Sequence, residues 1–169
     1  TILNTAKTRE CTIDNINGYL ISPDGSKLLV YNDVSPIYRR SFEAQYYVFE
    51  IKRNILKPLS VKNKKQRSPL FSYDGRMVAF VSNNNIYIKK IDYDSEVAVT
   101  TDGKNNSIIN GVPDWTYEEE FMVESSMVRS PDNLTLCFIK YNETDVKTYS
   151  FPLYGGVYKK DVDNEIYPG

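Results

Sequence analysis

Three consecutive carboxylates, Glu118, Glu119 and Glu120, follow the only tryptophan of the chain in the stretch Asn110-Gly111-Val112-Pro113-Asp114-Trp115-Thr116-Tyr117-Glu118-Glu119-Glu120-Phe121. Two carboxylates held together repel, and each raises the pKa of the other unless a cation neutralises them. A peptide α-ammonium, with one positive charge and three donors, suits such a pair. Val112, Trp115, Tyr117 and Phe121 would frame the pair with apolar surface and, by lowering the local dielectric, strengthen the attraction. The competing reading is a solvated acidic turn. Successive helical residues are rotated by about 100°, so three neighbouring glutamates cannot all face one guest, whereas two can converge.

Other chemistries are excluded. The chain has no histidine, so these residues cannot build a Ser-His-Asp or Cys-His nucleophilic centre or an imidazole metal site. No Gly-x-Ser-x-Gly elbow occurs. Cys11 and Cys137 are far apart, with no Cys-x-x-Cys pattern; two buried free thiols are expected, and they carry no information on compartment. A net charge of −1 gives no bulk field to recruit nucleic acid or an anionic membrane, so electrostatic function must be local. The basic run Lys62, Lys64, Lys65 and Arg67 reads as a solvated loop. Three sequons, at Asn105, Asn133 and Asn142, matter only in a eukaryotic secretory context. No stretch approaches 18 apolar residues, and the chain starts at Thr1, as expected of a trimmed piece of a longer protein.

The elements that must position the acidic cluster are strands. Fourteen tyrosines and seven phenylalanines against eight glycines favour pleated, half-buried surfaces. Ser22-Pro23-Asp24-Gly25, Ser72-Tyr73-Asp74-Gly75 and Ser130-Pro131-Asp132-Asn133 recur at spacings of 50 and 58 residues, each a type I turn signal ahead of an apolar strand. Those strands, Lys27–Tyr31, Met77–Val81 and Thr135–Ile139, read as buried on both faces. The strands that follow, Gln45–Ile51, Asn85–Ile91 and Lys147–Phe151, alternate and read as outer strands exposing one face. Four strands per unit at this period indicate β-propeller blades. The expected fold is all-β: a partial propeller of about three four-stranded antiparallel blades, approximately residues 13–60, 66–103 and 122–169. An immunoglobulin-like sandwich is the alternative, but it leaves the periodic turns unexplained. Pro113 and Asp114 can start and cap a short helix, placing a helical insertion carrying the glutamates at 110–121.

The motif closely resembles the glutamate motif of the dipeptidyl peptidase IV family, serine exopeptidases that remove dipeptides from peptide N-termini. The match is ungapped over about a dozen residues from Asn110-Gly111 through Asp114 and Trp115-Thr116-Tyr117-Glu118-Glu119-Glu120. The resemblance implies that Glu119 and Glu120 bind the substrate amine and that Glu118 is structural. Tyr38-Arg39-Arg40-Ser41-Phe42 is similar to the family's aromatic-Arg-x-Ser-aromatic stretch. This implies that Arg39 contacts the carbonyl of the penultimate substrate residue, while Arg40 stands where relatives often have another residue. Asn85–Lys89, Asn142–Val146 and Tyr149–Tyr154 resemble the family too, the last two its bacterial members; Val128-Arg129-Ser130 departs from it, since relatives usually have aromatics before that serine. By this resemblance the chain is the substrate-recognition part of a peptidase releasing X-Pro or X-Ala dipeptides. It needs no cofactor or metal. Its partners are a peptide with a free N-terminus and an α/β-hydrolase domain of the same polypeptide that supplies the triad. Nucleic acid is not a partner, homo-oligomers are possible partners, and the location is exported, periplasmic or cell-envelope, in a bacterium. A non-enzymatic interaction propeller is the alternative function.

Overall fold

The computed structural model describes residues 2–153 and 163–168. Strands β1 (Arg9–Glu10), β2 (Gly18–Ile21), β3 (Lys27–Pro36), β4 (Phe42–Glu50) and β5 (Ile55–Pro58) form one sheet in the order β1-β5-β4-β3-β2. Its pairings are antiparallel except that of the two-residue β1 with β5. Strands β6 (Arg67–Phe71), β7 (Met77–Ser82), β8 (Asn85–Lys90) and β9 (Ser95–Ala98) make a four-stranded antiparallel meander. Next come β10 (Ile108–Asn110), helix α1 (Trp115–Phe121), β11 (Met127–Arg129), β12 (Leu136–Phe138) and β13 (Lys140–Asn142). Strands β14 (Thr148–Leu153) and β15 (Asp163–Pro168) then pair antiparallel. The expected third blade, 122–169, is thus described as separate two-stranded ladders, and its Tyr154 lies outside the described residues.

The repeated turns share one hydrogen-bond scheme. Each serine hydroxyl donates to the aspartate two residues on, at 2.6, 2.6 and 2.5 Å for Ser22, Ser72 and Ser130. The same oxygen accepts an N–H at the entry to the next strand, from Lys27 and Met77, which open β3 and β7, and from Thr135, just ahead of β12, at 2.9, 2.8 and 2.9 Å. The fourth residue of each turn has positive φ, +69° at Gly25, +66° at Gly75 and +64° at Asn133, which is why glycine or asparagine occupies it. Neighbouring turns also touch. A Cβ on Gly75 would lie 2.7 Å from Asp24 Oδ1, and Tyr73 N–H donates to Asn133 Oδ1 at 2.6 Å.

Successive sheets pack face to face. Leu29, Tyr46 and Val48 of the first meet Phe71, Val78 and Phe80 of the second, and the backbone of fully buried Gln66 bridges to Ala44. Val81 and Ile86 of the second sheet meet Ile109, Val112, Met127 and Tyr141. Such a series of meanders, each covering its neighbour's face, is part of a β-propeller; the described residues do not close the ring.

Three expectations need correction. Strand β4 does not expose a face: Tyr46 and Val48 bury toward the second sheet, while Tyr47 and Phe49 bury against Ile13, Leu28 and Leu56. Residues 135–139 are not buried on both faces. Leu136 and Phe138 are half-buried, while Thr135, Cys137 and Ile139 alternate with them and are exposed. Consequently Cys137 is an exposed thiol, and Cys11 is half-buried, with Sγ donating to Leu56 O at 3.1 Å.

Candidate functional site

The acidic segment leaves and rejoins the sheets through one narrow neck. Gly111 N–H donates to Ile139 O at 3.0 Å, Ser126 N–H to Gly111 O at 3.1 Å, and Ile139 N–H to Ser126 O at 2.9 Å. Ile139 sits where the strand changes partner, β12 pairing with β11 before it and β13 with β10 after it. Gly111 has φ +77°, and a Cβ there would meet Ile86 and Met127 at 2.9 Å. Only glycine satisfies both demands. The preceding Asn110 is fully buried, and its Nδ2 donates to Asn84 O and Asp102 Oδ1, both at 3.1 Å. The Asn-Gly pair of the motif is therefore the anchor of the excursion.

Helix α1 begins where the sequence places it. Asp114 is the N-cap, its Oδ1 accepting Tyr117 N–H at 2.8 Å, which satisfies one of the unpaired first-turn donors. The helix ends at Met122, left-handed at φ 58°. The apolar frame is only partly enclosed: Val112 is fully buried and Trp115 half-buried, but Tyr117 and Phe121 are exposed, Tyr117 packing on Phe121 and Tyr141 at ring distances of 5.4 and 5.3 Å.

The first sheet supplies the other half of the site. Strands β3 and β4 pair well past the ends of their neighbours, since β2 reaches only Tyr31 and β5 only Tyr47. The β3–β4 hairpin thus projects from the sheet. Its tip, residues 37–41, closed by Ile37 N–H to Ser41 O at 2.9 Å, lies against α1 and carries Arg39.

The three glutamates divide as one helical turn requires. Glu118 is fully buried. Its Oε1 accepts Arg40 N–H at 3.2 Å and Ser41 N–H at 2.8 Å, and its carbonyl oxygen accepts from Arg40 Nη1 at 3.2 Å. Glu119, with a side chain 13% exposed, accepts Arg39 N–H on Oε1 at 3.2 Å and lies 3.3 Å from Arg39 Nε through Oε2. Glu120 is exposed. Two of the three predicted site residues, Arg39 and Glu119, are thereby in contact across 80 positions of sequence, and Glu120 neighbours them on the helix.

Sequence reasoning missed a buried charge cluster beside this contact. Arg67 opens β6 and is half-buried, so the solvated-loop reading holds only for exposed Lys62 and Lys64. Lys65 is also engaged, 3.0 Å from Asp33 Oδ2 and from Ser35 Oγ. Arg67 Nε and Glu118 Oε2 are both buried without a hydrogen-bond partner. Burial pulls the Arg67 guanidinium down, and the charge of Glu118 opposes that shift. Burial pushes the Tyr38 phenol up, with Glu143 adding to it. The Glu143 carboxyl is pushed up by its own burial and then by Asp114. Tyr38, Glu43, Lys65, Arg67 and Glu143 line a cavity of about 410 Å³. The missed signal was periodicity: Arg67 precedes Ser68-Pro69-Leu70-Phe71 and belongs to the strand rather than to the lysine run.

Residues 22–169 match the family model described as the dipeptidyl peptidase IV (DPP IV) N-terminal region. The chain is 30% identical over 159 residues to human prolyl endopeptidase FAP, covering 91% of this chain and 20% of that protein. It is 32% identical over 142 residues to dipeptidyl peptidase 4 of Felis catus, covering 83% of this chain and 18% of the relative. The crystal structure of Porphyromonas gingivalis dipeptidyl peptidase 4 superposes with a TM-score of 0.93 at 44% identity, over 99% of this chain and 24% of that one. The chain spans about a fifth of the length of the relatives it matches.

Proposed function

This chain belongs to the dipeptidyl peptidase IV family, and on that premise we propose that it is the portion of such a peptidase that anchors the substrate's N-terminus. The observation that carries the reading is the contact between Glu119 and Arg39. Arg39 stands on the tip of the β3–β4 hairpin and Glu119 on helix α1, so each comes from a different part of the fold. Glu119 and Glu120 hold the substrate α-ammonium; Arg39, whose side chain is 74% exposed, turns to the first peptide carbonyl. With the amine fixed at one depth, the bond after the second residue is the one presented to a nucleophile on an α/β-hydrolase domain of the complete polypeptide. The products are X-Pro or X-Ala dipeptides. An exported, cell-envelope location in a bacterium belongs to the same proposal.

Without substrate, Arg39 occupies both oxygens of Glu119, so an arriving ammonium shares a carboxylate that is already partly neutralised. Glu120 supplies the second charge. Removing one partner of a desolvated charge pair costs about 2–5 kcal/mol, or roughly 30-fold to several thousandfold in kcat/KM. In the complete enzyme, Glu119→Gln should lie toward the upper end and Glu120→Gln, being exposed, toward the lower. Wild-type enzyme should reject an N-acetylated Gly-Pro substrate, whereas the double glutamine variant should be nearly indifferent to acetylation. Single variants with wild-type kcat/KM and an intact fold would return the three glutamates to a solvated turn.

A further inference from the structure

We propose that Glu118 is the positioning residue of this site, a buried clamp that holds the Arg39-bearing hairpin tip against α1 and so sets the reach between Arg39 and Glu119. The inference rests on the amine-anchoring reading and extends it to a residue that touches no substrate.

The hairpin tip and the helix meet through consecutive residues on both sides. Arg39 N–H goes to Glu119, Arg40 N–H and Ser41 N–H go to Glu118 Oε1, and Arg40 Nη1 returns to the Glu118 carbonyl. Glu118 takes part in three of these four bonds. A carboxylate with no exposed surface is costly to bury unless donors satisfy it; here two backbone N–H groups satisfy Oε1, while Oε2 has no hydrogen bond and only the charge of Arg67 to offset its burial. Main-chain donors are also what a positioning device needs. They fix the path of the loop, and through it the origin of the Arg39 side chain, independently of which side chains the loop carries. Arg67, from the second sheet, adds a buried positive charge to the same neighbourhood. Elements of three packing units therefore converge on this carboxylate, while Glu119 is half-buried beside Arg39 and Glu120 is exposed.

A clamp and a ligand group respond differently to mutation. In the complete enzyme, Glu118→Ala frees the tip, so Arg39 and Glu119 no longer hold a common geometry. The preference for a free-amine Gly-Pro substrate over its N-acetylated form, measured as the ratio of kcat/KM values, should fall at least tenfold, chiefly through KM. Glu118→Gln keeps an oxygen that can accept both N–H groups and should retain the ratio within a few-fold, although the protein melts earlier. Leu29→Ala, a fully buried residue of the first sheet, lowers the melting temperature through a cavity and should leave the ratio unchanged. If Glu118→Ala fails to fold, Arg40→Ala, which removes only the Nη1 bond, should lower the ratio two- to fivefold. An unchanged ratio in Glu118→Ala, or in Arg40→Ala where that variant must decide, overturns the proposal; so does an equal loss in Leu29→Ala. Failure of the amine reading itself is recognised separately, by Glu119→Gln retaining full discrimination.

Discussion

At the scale of single residues, three identical side chains in a row have three environments, because a helix turns by about 100° per residue. Glu118 faces inward and is consumed by backbone donors, Glu119 faces the hairpin, and Glu120 faces out. Helix rotation made it legible that the three could not all face one guest, and Asp114 was legible as the cap; that Glu118 is the structural one was implied only by the family resemblance. The partners were not legible, because Arg40 and Ser41 lie 78 and 77 residues from Glu118 and only the fold brings them close. Glu143 offers a test of the neighbouring charge cluster. Its folded-state pKa is raised by burial and by Asp114, so the native state resists its ionisation. The resulting destabilisation is absent below the unfolded value of 4.5, grows as pH rises through the folded value, and is complete above it. Glu143→Gln should therefore raise the melting temperature by a few degrees near neutral pH and leave it unchanged at about pH 4. A gain of equal size at both pH values would mean that the charge is not the cause.

Among the elements, the Ser-x-Asp-Gly turns were the most legible, because all their bonds are local and repeat with the sequence. Strand burial was less so. Strand β4 alternates in sequence but is covered on both faces, a fact set by two neighbouring layers rather than by its own residues. Conversely, residues 135–139 form a continuous apolar run with one exposed face. The turns should make the fold sensitive to acid. Hydrogen bonds from Ser22 and Ser26 hold the Asp24 carboxyl down to about 2, and serine hydroxyls lower Asp74 and Asp132 in the same way. A depressed folded pKa contributes stability that is full above the unfolded value of 3.8 and is lost as pH falls through the folded one. The melting temperature should accordingly fall between about pH 4 and about pH 2. Replacing Asp24, Asp74 and Asp132 together by Asn should flatten that fall, and an unchanged profile in the triple variant would assign the acid lability elsewhere.

For the whole molecule, the propeller architecture was legible from period and turn chemistry, and the 0.93 TM-score to a solved relative agrees with it. The described residues leave an unpaired edge at β2, where Tyr19 and Ile21 are 64% and 58% exposed. Open, apolar strand edges recruit other strands, so this 169-residue chain should self-associate. Light scattering should give a mass above the monomer that rises with concentration, and Ile21→Lys should reduce it; a strict monomer at high concentration would count against an open edge. The turn-to-turn contacts bear on how such a protein can change over generations. Asp24 fits against Gly75, where a Cβ would collide with it, and Asn133 reaches back to the Tyr73 amide. The first and third turns thus each carry a tab and the middle turn the slots for both, and the tabs differ. A blade copied or transplanted within the gene would arrive with the wrong tab. These repeats, alike as they look, are therefore not interchangeable parts, and their order is written into the seams between them.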